Sequence, residues 1–260
     1  MMKFEIVHIE ETDSTNRWMK DNGEGTQVVV ADYQTAGKGC GSNSWEAERG
    51  KNLLMSVMIH PQSMQAKSQF IITQVVSVAL CKTIERYLLH PKPFLRPFGS
   101  KRPFGSSGLP GGGEHVVAIK WPNDIYVGDK KICGVLIENR LQGSMIKDSI
   151  IGIGLNVNQQ EFKSDAPNPV SIWQLTGKET DRMELLAAFL EQLNETAKST
   201  TIITDYKARL YRRQGKHLFM TNNTTFEASI VDVIDDGRLM LEDEKGVAHL
   251  FRFKEVSFVI

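Results

Sequence analysis

The feature of this sequence that most constrains its fold is a run of four apolar segments that follow one another closely between residues 116 and 157. Short segments rich in Val and Ile and bounded by turn residues are typical of β-strands. Gly128-Asp129-Lys130 separates the second segment from the third and predicts a hairpin turn. The chain therefore has to build a sheet, and the segments predict strands at 116–121, 124–127, 132–138 and 145–157.

Patterns on both sides of this run predict a core of mixed α/β type. Residues 68–89 carry apolar side chains at helical spacing, and residues 180–197 show an amphipathic helical pattern. Near the start of the chain, Asp13-Ser14-Thr15-Asn16 offers N-cap residues for a short helix. Further strands are predicted at 3–9, 27–33 and 52–59.

The last part of the chain predicts a second and smaller unit. From Gly215 onward the pattern changes to short strands, with turns at Asp235-Asp236-Gly237 and Glu244-Lys245-Gly246. This indicates a five-strand barrel that is too small to fold securely alone. We therefore expect two domains, at residues 1–213 and 214–260.

Residues 90–115 stand apart from the rest of the sequence. They hold five of the nine prolines and six glycines, and Arg96-Pro97-Phe98-Gly99-Ser100 recurs as Arg102-Pro103-Phe104-Gly105-Ser106. A stretch of this composition supports neither a helix nor a strand ladder, so we expect a mobile loop. A low-complexity insertion is favoured, and a partner site is the alternative.

Charge and cysteine usage exclude several classes of function. Lys+Arg and Asp+Glu both total 31, which gives no general attraction to nucleic acid or to an anionic membrane. No apolar run is long enough to span a bilayer, and the N-terminus lacks the features of a signal peptide. Cys40, Cys81 and Cys133 lie far apart, which favours a reducing, cytoplasmic compartment. The six histidines are not at metal-ligand spacing, so no structural metal is expected.

The loop from Gln34 to Gly41 is the first candidate for chemistry. It has glycine at 37, 39 and 41, which lets a backbone pass close to a ligand and present N–H groups to an anion. Lys38 adds a positive charge to the same loop. The ending of a P-loop is missing, and a flexible surface loop remains an equal alternative.

Two further segments carry charge or unusual glycines. Lys120-Trp121-Pro122-Asn123-Asp124 precedes Lys131 and Gly134, and Asp124 is a candidate oxygen ligand for Mg²⁺. On spacing alone, a charged hairpin with solvated lysines is favoured for this pair of segments. Gly152 and Gly154 lie inside a buried strand, which fits either a flat ligand on bare backbone or tight helix–sheet packing. Residues 13–16 by themselves indicate no more than a helix cap.

Taken together and in this order, these segments resemble the catalytic domain of biotin–protein ligases. The matching parts are 13–16, Gln34 with 37–45, 120–124, 131–138, 152–156 and the closing strand at 253–257. The resemblance implies an α/β (α+β) fold in which a mixed β-sheet is backed by helices, as in class II aminoacyl-tRNA synthetases. It also implies that a small SH3-like β-barrel follows.

The resemblance further implies an activity and a set of site residues. The expected enzyme forms biotinyl-5'-AMP from biotin and ATP, with Mg²⁺, and transfers biotin to a specific lysine of a biotin carboxyl carrier protein. Lys131 and Lys38 would be catalytic. The implied biotin-binding residues are Ser14, Thr15, Asn16, Gln34, Gly37, Lys38, Gly39, Cys40, Lys131, Gly134, Leu136, Gly152 and Gly154. The implied ATP-binding residues are Trp45, Lys120, Asn123, Asp124 and Asn156, with Asp124 also as the Mg²⁺ ligand.

The sequence departs from the family at Cys40, where the loop usually carries arginine. We therefore hypothesise that the adenylate is retained less tightly. The match starts within the first fifteen residues, so a monofunctional ligase without an N-terminal DNA-binding domain is expected. A lipoate–protein ligase and a non-enzymatic biotin sensor are the alternatives. The sequence is compatible with a homodimer but does not decide the oligomeric state. It also does not identify which carrier protein is modified.

Overall fold

A seven-stranded mixed sheet forms the centre of the protein. The computed structural model describes residues 2–39, 41, 43–89, 116–164, 166 and 168–260. The strands lie in the order β1-β2-β3-β7-β6-β5-β4, and β1 and β2 are parallel while the other pairs are antiparallel. Their bounds are Glu5–Thr12 (β1), Gln27–Gln34 (β2), Leu53–Ile59 (β3), Val117–Lys120 (β4), Asp124–Val127 (β5), Lys130–Gln142 (β6) and Met145–Leu155 (β7).

All four strands predicted between residues 116 and 157 are therefore present, as β4 to β7. Gly128 has a φ of 57° in the predicted hairpin turn, a conformation that glycine adopts readily. The interpretation of residues 90–115 falls outside the described residues, as does Cys40.

Five α-helices are found in the described part of the chain: Thr15–Asn22 (α1), Phe70–Leu89 (α2), Ile172–Thr176 (α3), Arg182–Thr196 (α4) and Ile202–Ala208 (α5). A single 3-10 turn at Ala66–Ser68 precedes α2. The predictions of α1, α2 and α4 are confirmed, whereas α3 and α5 were not predicted. The Asp181 carboxylate caps α4 by accepting hydrogen bonds from the N–H groups of Met183 and Glu184. None of the described helices is long and apolar enough to cross a membrane.

Both faces of the sheet are covered, because alternate residues of a strand point to opposite sides. In β2, Val28 and Val30 belong to the main core that includes α2 and α4, whereas Val29 packs with Met19 of α1. The same alternation puts Ile150 of β7 on the α1 face. On this second face, α1 packs against β2, β3 and β7.

A five-stranded antiparallel sheet follows, with the order β11-β10-β9-β8-β12. It fits the predicted small barrel, and glycines with positive φ stand in both predicted turns, Gly237 at 89° and Gly246 at 74°. The exact division between residues 213 and 214 stays a prediction. The strands are Lys216–Thr221 (β8), Thr224–Val233 (β9), Leu239–Asp243 (β10), Ala248–Phe251 (β11) and Ser257–Phe258 (β12).

The small sheet is fixed against the end of β4. Trp121 donates a hydrogen bond from Nε1 to the Gly237 carbonyl at 2.9 Å, and Phe253 meets the Trp121 ring edge-on, with 6.1 Å between ring centroids. Phe219 and Phe258 of the small sheet belong to the same buried core as the large sheet. This contact sets one wall of the site described next.

Candidate functional site

A cleft of about 810 Å³ lies where three parts of the protein meet. They are the face of the large sheet that α1 packs on, the small sheet, and the glycine-containing loop that starts at Gln34 (the glycine loop). Lys38 and Lys131 both line it, so the two predicted catalytic lysines share one cavity. The cleft brings together most of the predicted site residues: Ser14, Thr15, Asn16, Gln34, Lys38, Gly39, Trp45, Lys120, Asn123, Asp124, Lys131, Gly134, Leu136, Gly152 and Gly154.

Three predicted residues are not found in the cleft wall. Gly37 is buried against Gln34 and Trp45, where it leaves no room for a side chain. Asn156 is 2% exposed and donates from Nδ2 to the Val170 carbonyl, while its Oδ1 has no partner among the described residues. Cys40 lies outside the described residues. The roles of all three stay predictions.

The alternation of β7 explains its two unusual glycines. Ile151, Ile153 and Leu155 belong to the main core, so the residues between them face the cleft side of the sheet. A Cβ on Gly152 would lie 2.3 Å from Asn16 Oδ1, and one on Gly154 would lie 2.5 Å from the Trp45 ring. Glycine is needed at both positions because other side chains rest directly on the backbone.

A largely buried polar network forms one end of the cleft. The Thr15 N–H and hydroxyl both donate to Gln34 Oε1, at 2.8 and 3.1 Å. The Ser56 hydroxyl lies 2.8 Å from Thr15 Oγ1 and 2.6 Å from Asn16 Oδ1. Ser14 stands at the N-cap of α1, but its side chain makes no capping hydrogen bond. Ser14 therefore does not cap the helix with its side chain, and Thr15 and Asn16 belong to the polar network.

Glu138 fixes the orientation of the Asn16 amide. Asn16 Nδ2 donates to Glu138 Oε2 at 2.8 Å, and Lys20 donates to Oε1 at 2.6 Å. Burial opposes the charge on Glu138, yet the hydrogen bonds from Lys20 and Asn16 hold its pKa below the usual value. With Nδ2 engaged by Glu138 and Oδ1 by Ser56, Asn16 presents a fixed amide beside Gly152. Sequence reasoning missed Ser56 and Glu138 as parts of this network.

Lysines gather at the other end of the cleft. Lys131 donates to Asp124 Oδ2 at 2.7 Å, and Lys120 donates to the Tyr126 hydroxyl at 3.3 Å. Burial lowers the pKa of Lys120, the Asp124 carboxylate opposes that shift, and the charge of Lys131 adds to it. Lys38 is exposed on the glycine loop. Because these cations converge on one cavity, the interpretation of a simple solvated hairpin is wrong.

Trp45 covers part of the surface that was predicted to hold a flat ligand. Its indole lies on the bare backbone of Gly134 and Gly154, and the Lys131 ammonium is 5.6 Å from the ring centroid. The loop returns to place it there, since Trp45 N–H donates to the Gly37 carbonyl at 2.9 Å. The indole Nε1 is buried without a hydrogen-bond partner among the described residues. A ligand at this place therefore has to share the surface with the indole or displace it.

The small sheet contributes a wall that the sequence assigned no role. Five of its residues line the cleft: Phe253, Lys254, Val256, Ser257 and Phe258. The signal for them was present, since 253–257 was recognised as matching the family's closing strand. The prediction of a strand over this whole segment is wrong, because Lys254 and Glu255 form a turn and only Ser257 lies in β12. The match also did not show that the segment reaches the cavity.

The described residues offer neither a self-contained metal site nor a cysteine nucleophile. They contain no cluster of three His, Cys, Asp or Glu side chains that could hold an ion. Burial raises the pKa of the Cys81 and Cys133 thiols, which keeps both protonated and unreactive.

Comparison with known structures identifies the fold as that of biotin protein ligases. The Aquifex aeolicus biotin protein ligase in complex with biotin and ATP superimposes with a TM-score of 0.69, covering 97% of each chain at 24% identity. The model of the biotin/lipoate A/B protein ligase family matches residues 8–156, more than half of the chain. The chain belongs to this family, and the resemblance drawn from its motifs is confirmed.

Named relatives extend the similarity over nearly the whole chain. The bifunctional ligase/repressor BirA of Bacillus spizizenii is 28% identical over 256 residues, which cover 94% of this chain and 70% of the relative. The biotin–[acetyl-CoA-carboxylase] ligase of Paracoccus denitrificans is 27% identical over 250 residues, covering 90% of this chain and 93% of the relative.

Proposed function

We propose that the protein activates biotin with ATP as biotinyl-5'-AMP and then attaches it to a lysine of a biotin carboxyl carrier protein. The observation that carries this proposal is one cleft with two chemically different ends. Uncharged hydrogen-bonding side chains of α1 and β2 line one end, and Lys120 and Lys131 line the other. Such a cleft suits a ligand that is uncharged except for a carboxylate tail.

The neutral end suits the ureido ring of biotin. That ring has two N–H donors and one carbonyl acceptor, and a pocket for it needs a few fixed partners in an otherwise apolar wall. Asn16 and Thr15 are held in place by Ser56 and Gln34. The dithiolane ring of lipoate has no such groups, so it would gain none of the hydrogen bonds that these fixed side chains can offer to a ureido ring. This favours biotin over lipoate.

The charged end suits the meeting of two anions. A carboxylate must approach the α-phosphate of ATP, and nearby fixed cations offset the repulsion and stabilise the charge that develops. Lys131 and Lys38 are assigned this role because they share the cavity. The indole of Trp45 lines the cleft and offers a surface for the base. Asn156 stays a candidate ATP contact only from the resemblance, because it is buried outside the cleft wall.

Mg²⁺ would enter with the nucleotide. A Mg²⁺ site is often built from one or two carboxylates together with substrate phosphates, and Asp124 is a carboxylate in the cleft wall. We assign Asp124 as the protein ligand of the ion. When bound, the ion would neutralise phosphate charge. In this structure the Asp124 carboxylate accepts a hydrogen bond from Lys131.

Transfer needs no covalent intermediate on the ligase. The carrier lysine attacks the mixed anhydride, and the glycine loop and Trp45 would exclude water from it. The buried thiols Cys81 and Cys133 support this route, because neither can act as a nucleophile.

Both thiols are free, which supports a reducing compartment such as the cytoplasm.

The test is incubation with biotin, MgATP and a biotin carboxyl carrier domain, followed by mass measurement of the carrier. We expect one added biotin on one lysine, and no addition when lipoate replaces biotin. Lys131→Ala should reduce adenylate formation by about a hundredfold or more. Lys130→Ala is the matched control, because Lys130 is exposed outside the cleft. Modification by lipoate, or full activity of Lys131→Ala, would contradict the proposal.

A further inference from the structure

Lys254 is a cation of the cleft that none of the roles above includes. It lies between β11 and β12 and lines the same cavity as Lys120 and Lys131. Lys131 is paired with Asp124, whereas Lys254 forms no ion pair with any residue that the structure describes. Its side chain is exposed, so its charge is available to a ligand.

The Lys254 side chain extends from the small sheet to the glycine loop. Its Nζ lies 2.6 Å from the place that a Cβ on Gly41 would occupy. Gly41 has a φ of 73°, a backbone conformation that favours glycine. The ammonium thus stands at the loop that was predicted to present N–H groups to an anion.

The backbone at Lys254 is held in an unusual conformation. Its φ is 72°, in the left-handed region that few non-glycine residues adopt. The surrounding turn is closed by hydrogen bonds from the Arg252 N–H to the Glu255 carboxylate at 2.7 Å and from the Glu255 N–H to the Arg252 carbonyl at 3.0 Å. Strained positions that the surroundings enforce are often functional. Here the turn directs a lysine into the cleft.

We propose that Lys254 binds the β- and γ-phosphates of ATP and stabilises pyrophosphate as it leaves. This inference rests on the proposed adenylation. In that step, a biotin carboxylate oxygen forms a bond to the α-phosphorus, and the bond from that phosphorus to the bridging oxygen breaks. The electron pair leaves with pyrophosphate, whose added charge is met by the Lys254 ammonium. The small sheet is thereby part of the nucleotide site.

The experiment measures biotin-dependent release of pyrophosphate without any carrier protein, and carrier biotinylation in a second assay. Lys254→Met should raise the KM for ATP about tenfold, the effect of losing one charge-assisted hydrogen bond, and leave the KM for biotin unchanged. Inhibition by added pyrophosphate should weaken by a similar factor. Lys254→Arg should restore most of the ATP affinity, because it keeps the charge.

Two further variants separate this role from a structural one. Lys254→Gly suits the backbone conformation, so it should keep or raise Tm while losing ATP affinity as Lys254→Met does. Lys245→Met removes an exposed lysine that belongs to the same small domain but lies outside the cleft. It should change neither the Tm nor the KM for ATP. A KM for ATP within twofold of the parent in Lys254→Met would overturn the inference, as would a change confined to the KM for the carrier. A parent protein that releases no pyrophosphate with biotin would instead overturn the proposed function.

Discussion

At the scale of single residues, the neutral end of the cleft depends on a hydroxyl in the middle of β3. Ser56 is fully buried, and its neighbours Met55 and Val57 point into the main core. Its hydroxyl contacts both Thr15 and Asn16, so one side chain sets the geometry of two candidate ligand-binding groups. Ser56 therefore acts as a positioning residue.

Ser56→Ala should weaken biotin binding and leave ATP binding intact. The KM for biotin should rise about tenfold, equivalent to one lost hydrogen bond of about 1.4 kcal/mol, and stability should fall by about 1–2 kcal/mol. Ser77→Ala is the matched control, because Ser77 is equally buried and its hydroxyl has no partner among the described residues. Steady-state kinetics and urea unfolding are measured on both variants. Equal effects of Ser56→Ala and Ser77→Ala would contradict the positioning role of Ser56.

Lys120 should give the ATP reaction an alkaline limit below the range of ordinary lysines. Burial lowers the pKa of Lys120, so it loses its proton at a lower pH than a free lysine, whose pKa is about 10.4. The neutral amine no longer attracts phosphate. The profile of kcat/KM for ATP against pH reports this ionisation in the free enzyme. Lys120→Arg keeps its charge and should move the limit to higher pH. An unchanged limit would mean that another group titrates.

At the scale of elements, β7 serves the core with one face and the site with the other. Its core face carries Ile151, Ile153 and Leu155, and its site face carries Gly152 and Gly154. The bare site face lets the glycine loop deliver Trp45 onto the sheet. The strand therefore sets how close the loop can approach the bound ligands.

Gly154→Ala should disturb Trp45 specifically. The new methyl group would lie 2.5 Å from the indole, and overpacking of this kind costs about 1–3 kcal/mol. In a Trp45→Ala background the clash is gone, so the same change should cost less than about 1 kcal/mol. A double-mutant cycle by urea unfolding measures the difference. Additive effects of the two changes would show that the indole does not rest on Gly154.

The secondary-structure elements differ in how well the sequence predicts them. The long helix α2 and the strands β4 to β7 have clear periodicity, so their prediction succeeded. Helices α3 and α5 have only five and seven residues, too few to show a helical period. Ser56 was hidden inside an apolar strand pattern, and Lys254 enters the site from a distant turn. Neither placement follows from local sequence, because tertiary packing creates both.

At the scale of the whole molecule, the small sheet and the large sheet share one core. Phe70 of α2 packs beneath the turn at Gly237, and Trp121 donates its hydrogen bond to that same residue. Because Phe253 and Lys254 reach the cleft from the small sheet, any shift of that sheet changes the site. Stability and nucleotide binding are thereby coupled through this one contact.

Gly237→Ala, compared with Gly246→Ala, tests that coupling. Both glycines stand in turns of the small sheet with positive φ, so alanine should cost about 1–2 kcal/mol at either place from backbone strain. A methyl group at Gly246 meets nothing within 4 Å, whereas one at Gly237 would lie 2.5 Å from the Phe70 ring. Gly237→Ala should therefore cost about 1–3 kcal/mol more.

Gly237→Ala alone should also raise the KM for ATP, because the displaced turn would carry Trp121 and the wall of the cleft with it. Urea unfolding and pyrophosphate release, measured on both variants, supply the comparison. If both variants lost the same stability and kept the same KM, the small sheet would not be positioned by its packing on α2. The arrangement of the cleft would then have to depend on the loop and the large sheet alone.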